Sequence, residues 1–334
     1  MKLSTKLVGS EKRRGRLSAR IALVAVSLAL VTPRLAGATP PPDFASLTAA
    51  APTTATAPVS LGAQSGMISI PAGRYPLGTD TGATASRPAH TVTLWAFAID
   101  RTEVTNAAFA EFLNALGLAL GSDVAAGALR LDDAPKPAVD LLAEGRRGTG
   151  RYPLIALDDD QARIGIQAGR FVPTPGYGDH PVTETTWAGA RAYCRWRGAR
   201  LPSEAEWEAA ARGMDGRVYP WGDAPPDDRL AFVIQRTGQT APVGSRPAGA
   251  SPFGLLDMAG SLAEWTSSLR RPYPYDPTDG REDPDQAGER VTRGGDYIYD
   301  TAHDALTAVH RTGFSNAPER GHRHIGFRCA RSDG

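Results

Sequence analysis

Apolar and polar positions alternate along Met67-Ile-Ser-Ile-Pro-Ala-Gly-Arg-Tyr-Pro-Leu-Gly78 and break at proline and glycine, which predicts a strand and a turn. A second alternation runs from His90 to Ile99, with Val92, Leu94, Ala96 and Ala98 on one face. The period then changes. After Thr102-Glu-Val-Thr-Asn106, Phe109, Phe112 and Leu113 recur at helical spacing, and Thr105 is placed as the N-cap. A second helix is predicted from about Trp187 to Trp196, where Trp187, Ala190, Tyr193 and Cys194 share a face. Ser203 and Glu206 stand at the spacing of a capping box and open a third helix, with Trp207 and Ala210 facing inward. Residues 117–165 show neither period and are rich in Gly, Ala, Asp and Pro, as a surface insertion is. The triplet Asp158-Asp159-Asp160 within it lacks the spacing of a calcium hand and reads as a solvated turn.

Composition makes the body loop-rich: 36 Gly and 27 Pro among 334 residues leave room for only short strands and helices. The N-terminus changes the picture further. Residues 1–38 combine basic positions (Lys12, Arg13, Arg14, Arg16, Arg20), an apolar run from Ile21 to Val31, and Ala36-Gly37-Ala38. These are the three parts of a secretory signal cleaved after Ala38. The run is shorter than the roughly 20 apolar residues that span a bilayer. An uncleaved anchor is the alternative, and Arg13-Arg14 leaves the twin-arginine route open beside the general one. Residues 39–63 are mostly Ala, Pro and Thr and read as a disordered linker. Cleavage removes eight Lys/Arg and one acidic side chain, which turns the net charge of +1 into −6. A mildly acidic exported chain offers no electrostatic footprint for nucleic acid and no basic amphipathic helix for a membrane surface. The expectation is a periplasmic or secreted bacterial protein, monomeric, acting on a peptide or small molecule.

Several blocks recur in a fixed order: His180-Pro-Val-Thr-Glu-Thr-Thr-Trp187 through Ala211, Tyr219-Pro-Trp-Gly-Asp223, Gly254 to Thr266, Arg293-Gly-Gly295 and Gly326-Phe-Arg-Cys-Ala330. In this order they resemble the formylglycine-generating enzyme family, the sulfatase-modifying-factor domain. The resemblance covers roughly residues 64–332 and is weakest over 117–165. It includes branches similar to pyoverdine-maturation and ergothioneine-synthase-like proteins. It implies an α+β, C-type-lectin-like fold. Formylglycine generators place two copper-binding cysteines just after the Arg-Gly-Gly block, and here those positions are Tyr299 and Asp304. The scaffold is present and the thiols are not.

The resemblance also implies site residues. Cys194 and Cys329, the only cysteines, sit where several secreted relatives are cross-linked; two separate buried thiols are the alternative. The run Asp257 to Trp265 resembles the family's calcium loop. It assigns the ion to the side chains of Asp257 and Glu264 and the carbonyls of Gly260 and Leu262, a hard-oxygen set of the kind calcium takes. The competing reading is a helix start capped by Asp257. A second calcium loop of the family would fall near Leu230 to Gly238, where its usual Asn is missing.

Around the lost cysteines lie Asp296, Tyr299, Asp300, His303, Asp304, His310 and Arg311, a candidate pocket. A helix over 299–310 would put Asp300, His303 and His310 on one side, enough for non-haem iron or another transition metal. Surface histidines near a chain end are the simpler account. His322-Arg323-His324 lies close by, and Arg328 in the Gly-Phe-Arg-Cys block reads as a structural ion pair. Two functions follow as expectations. One is an oxidase-type enzyme of the branch without catalytic cysteines, acting on a peptide or small amine. The other is a non-catalytic binding module. Formylglycine generation itself is excluded by the missing thiols.

Overall fold

The computed structural model describes residues 66–116, 154–157, 159–233, 239–299, 301–312 and 318–332. The signal, the linker, most of the 117–165 insertion, Asp158, Asp300 and part of the second calcium loop lie outside them.

Strand β1 (Met67–Ile70) leads through β2 (Gly73–Leu77) and β3 (His90–Leu94) to β4 (Phe97–Asp100). The alternation over His90 to Ile99 therefore does not form one strand. It breaks at Trp95 and Ala96, and its halves join different sheets. The reason is burial. β4 is the middle strand of a three-stranded sheet, between β1 and the C-terminal β11 (Ala330–Ser332), and all four of its residues are buried. β3 pairs only with β2, and Trp95 is left 90% exposed at the break.

Helix α1 (Asn106–Ala115) starts on the Thr105 cap, whose hydroxyl accepts from the Ala108 N–H at 3.3 Å. Helix α2 (Trp187–Trp196) has Thr186 as its cap, and α3 (Glu204–Arg212) has the Ser203–Glu206 capping box. A hairpin of β5 (Ile164–Gln167) and β6 (Arg170–Pro173) lies against α1, so the insertion ends in regular structure. Asp159 and Asp160 are exposed in a turn. A four-stranded sheet completes the body: β10 (Ile325–Gly326), β7 (Ala263–Leu269), β8 (Arg290–Arg293) and β9 (Arg311–Thr312), in that order.

Two apolar cores hold these pieces. In one, Phe109 of α1 stacks on Tyr193 of α2 with ring centres 5.6 Å apart, and Phe327 meets Tyr193 edge-on at 5.5 Å. In the other, Trp207 of α3 lies among Tyr75, Leu77, Phe97 and Ile99. Burying each such side chain stabilises by about 1.5–3 kcal/mol. The Cys194–Cys329 disulfide crosses the first core and ties α2 to the chain entering β11, with Cα atoms 5.5 Å apart. No thiol is left free.

The cores are small, and buried ion pairs join them. Glu204 and Glu208 of α3 are wholly buried, which carboxylates rarely are without partners. Arg311 donates to both Glu204 oxygens at 2.7 and 3.0 Å, and Arg281 adds a third contact at 3.1 Å. Glu208 takes Arg293 at 2.5 Å. The disulfide closes a loop of 135 residues. The chain-entropy relation for that length gives about 5 kcal/mol as an upper figure. Cys329→Ser is expected to lower the denaturant midpoint strongly without changing activity per folded molecule. Equilibrium unfolding of the oxidised parent and the variant measures it.

Candidate functional site

The chain leaves β8 through Gly294 and Gly295 and enters the loop that carries the candidate pocket. Residues 301–310 are turns, so the helix expected over 299–310 is not formed. The loop is held from its first residue instead. Asp296 is buried, and its Oδ1 accepts the N–H groups of Ile298 and Tyr299, both at 2.6 Å. That turn presents Tyr299 half-exposed, at 50%.

His303 and Asp304 are exposed on the turns beyond Tyr299. Tyr299 meets the His322–His324 pair. The Tyr299 hydroxyl accepts from Arg323 Nη2 at 2.9 Å, and its ring packs edge-on against His324 at 4.8 Å. His322 lies 5.6 Å from His324, and Trp265 lies 6.1 Å from His322. The backbone fixes this group: Ala263 N–H donates to the His324 carbonyl and Glu184 N–H to the His322 carbonyl. Tyr297 lies beneath it, buried, with its hydroxyl donating to the Arg323 carbonyl at 3.5 Å. Burial pushes the Tyr297 hydroxyl up to about 12, with Arg323 and Arg163 opposing and Asp296 and Glu184 adding to the rise.

The structure thus divides the expected pocket. Asp296 and Tyr299 belong to one cluster, which His322, Arg323, His324 and Trp265 complete. His303 and Asp304 are exposed, His310 is half-buried, and Arg311 is committed to Glu204 beneath the sheet. Asp300 is not described. Among the described residues no three His, Cys, Asp or Glu side chains converge as a metal site.

The expected calcium loop is more tightly built. Asp257 has a φ of +58° and its Oδ2 accepts the Gly244 N–H at 2.5 Å. Gly260 has a φ of +75°, and a Cβ there would stand 2.6 Å from the Phe232 carbonyl, so the loop admits only glycine. Glu264, wholly buried, receives Arg328 on both oxygens at 2.6 and 2.7 Å and the Trp207 indole N–H at 2.8 Å. A third carboxylate, absent from the sequence reading, joins them. Glu103 accepts from the Leu262 N–H at 3.0 Å and the Ser261 hydroxyl at 2.9 Å. Burial raises Glu103 well above the usual carboxylate range; Asp257 and Glu264 raise it further, while Arg328 and Ser261 oppose. Burial likewise raises Asp257, against the Gly244 N–H and Arg328. Three carboxylates around one guanidinium leave negative charge in a water-poor place, and a proton or a hard cation balances it. The one signal for Glu103 in the sequence was a charged residue inside the Thr-Glu-Val-Thr-Asn block.

Residues 52–333 match the family described as the sulfatase-modifying factor enzyme 1-like domain. The chain belongs to that family. It is similar to the formylglycine-generating enzyme of Streptomyces coelicolor, 35% identical over 289 residues that cover 79% of this chain and 88% of that one. It is similar also to the mouse (Mus musculus) protein named inactive C-alpha-formylglycine-generating enzyme 2, at 34% identity, covering 80% and 86% of the two chains. Among solved structures it resembles PvdO from Pseudomonas aeruginosa, with a TM-score of 0.55, 25% identity and 80% and 94% coverage. These likenesses agree with the mixed, loop-rich fold described above.

Glu103 generates a pH prediction. Its folded-state pKa is raised, so its stabilising share is fully present below the unfolded value, about 4.3, and is lost as pH rises through the folded value. Glu103→Gln mimics the neutral acid. In calcium-free buffer the parent is expected to lose stability relative to Glu103→Gln as pH rises from the unfolded value, about 4.3, to neutrality. Unfolding curves at both ends of that range measure the difference.

Proposed function

We propose that this family member has given up thiol chemistry and works through the cluster of Tyr299, His322, Arg323, His324 and Trp265 on a peptide or small amine. One observation carries the reading. The place after the Arg-Gly-Gly block holds a half-exposed tyrosine oriented by Arg323, while both cysteines are spent in a buried disulfide. The chemistry suits such a ligand. Trp265 and Tyr299 offer aromatic surface, and the two imidazoles can accept or donate a proton. An enzyme of oxidase type is the reading carried from the sequence. A binding module without turnover is the second, and the likeness to a relative named inactive favours it.

Calcium is assigned here to Asp257, Glu264 and the carbonyls of Gly260 and Leu262. The excess of carboxylate over guanidinium beside Glu103 supports it. When bound, the ion would supply charge balance to a loop rather than reactivity. Export fits the disulfide, which persists in oxidising compartments.

Two measurements on the purified mature chain test this. Incubation with copper, oxygen and a Cys-x-Pro-x-Arg peptide is expected to give no aldehyde; formation at enzymatic rates overturns the proposal. Metal analysis is expected to find calcium, and chelation to lower the melting temperature. A redox metal at stoichiometric level turns the choice toward the oxidase; a melting temperature indifferent to the chelator removes the calcium site.

A further inference from the structure

The open edge of β3 stands apart from the Tyr299 cluster. β3 has one neighbour, β2, in a two-stranded sheet. Pro76 of β2 faces Thr91 of β3. Proline has no N–H, so this pair cannot exchange ladder hydrogen bonds, and alternation then turns the N–H and C=O groups of Thr91 and Thr93 away from β2. Among the described residues nothing pairs with them there. Both residues are exposed, as is Trp95 at the end of the strand.

That edge borders a cavity of about 1060 Å³. Six consecutive residues, Thr91–Ala96, form one wall, and α2 with the turn after it forms the other through Arg191, Arg195 and Arg200. The wall's free charge is positive. Arg195 is exposed and has no ion-pair partner among the described residues. Arg191 has only a loose contact, 3.6 Å from an Asp285 that is 86% exposed. The two acids in the lining are occupied: Glu206 is bonded by Arg200 at 2.7 Å, and Glu282 accepts from Ser267, Ser268 and Tyr275. Tyr299, His322 and His324 do not line this cavity.

We infer that the trough between β3 and α2 docks an extended acidic peptide, which adds to β3 as a strand and sets its carboxylates against Arg191 and Arg195. Strand addition at an exposed edge draws affinity from main-chain hydrogen bonds and specificity from side-chain contacts. The five residues of β3 present about 17 Å of strand, room for one peptide of that length. A second copy of the chain fits less well, since edge-to-edge pairing would bring two arginine rows together. The inference is independent of what the Tyr299 cluster does.

The probe is a fluorescein-labelled peptide of about ten residues alternating Glu and Val, read by fluorescence anisotropy against the mature chain. It is expected to bind, while the matching Lys–Val peptide does not. Arg191→Glu with Arg195→Glu is expected to weaken binding about tenfold or more, as is raising salt from about 50 to about 300 mM. Because that variant could unfold, the parent protein supplies a second readout. N-methylation of alternate peptide residues is expected to abolish binding in one frame and spare it in the other, as a single ladder requires. Equal effects in both frames, equal affinity for the Lys–Val peptide, or no binding at about 1 mM overturn the inference. Self-association of the chain that the peptide displaces would also overturn it, by giving the edge to a second copy.

Discussion

Arg328 is the side chain on which the irregular parts of this molecule converge. It is wholly buried and donates to both oxygens of Glu264. It also donates to the carbonyls of Asp100, Arg101 and Leu256, at 3.1, 3.1 and 2.9 Å. One guanidinium thus joins β7, the end of β4, the loop before Asp257 and the chain entering β11. The physical need is plain. A body of short strands and long loops leaves carbonyls that no ladder satisfies, and a buried carbonyl without a donor is costly. Arginine brings five donors in a rigid fork, and Glu264 supplies the opposite charge. The pair Arg293–Glu208 and the set Arg311–Glu204–Arg281 repeat the device in the second core. Four of the five sequence blocks contribute members of these pairs: Glu204 and Glu208, Glu264, Arg293 and Arg328. The blocks are best understood as ionic joints of a loop-rich scaffold.

That explains what could and could not be read from the chain. The caps at Thr105 and Ser203, the α2 span and the inward face of Trp207 rest on neighbours within a few residues, so local spacing revealed them. The Cys194–Cys329 bridge came from the family positions of the only two cysteines. The break at Trp95 was hidden because alternation does not say which sheet a strand joins. Glu204 and Glu208 gave no local signal, since their partners lie 107 and 85 positions away. Glu103 escaped for the same reason: its partners in the Asp257–Glu264 loop are remote in sequence. The loop after Gly295 defeated periodicity altogether. Its shape is set by Asp296 holding two backbone N–H groups, and a turn of that kind has no repeat to detect.

The same architecture lets a surface side chain vary while its frame stays fixed. Asp296, the β8 end and the backbone around His322 and His324 are anchored by groups that do not touch a ligand. Tyr299 projects from that frame half-exposed. Replacing cysteine by tyrosine at such a position removes a thiol without disturbing a core. The histidines and Arg323 make up the rest of that surface. The edge of β3 and the arginines of α2 show a related freedom elsewhere, where an outer strand is paired on one side only.

The central claim is that buried arginine–carboxylate joints, with Arg328–Glu264 foremost, hold this fold. A double-mutant cycle of Arg328→Met and Glu264→Leu, followed by denaturant unfolding in the presence of a chelator, tests it most directly. Removing one partner of a buried pair costs about 3–5 kcal/mol, because the other charge is stranded, whereas replacing both with apolar groups costs far less. The account predicts a large loss for each single variant and a double variant more stable than the sum of the two losses allows. Single variants that each cost under about 1 kcal/mol and simply add, as exposed pairs do, would contradict it.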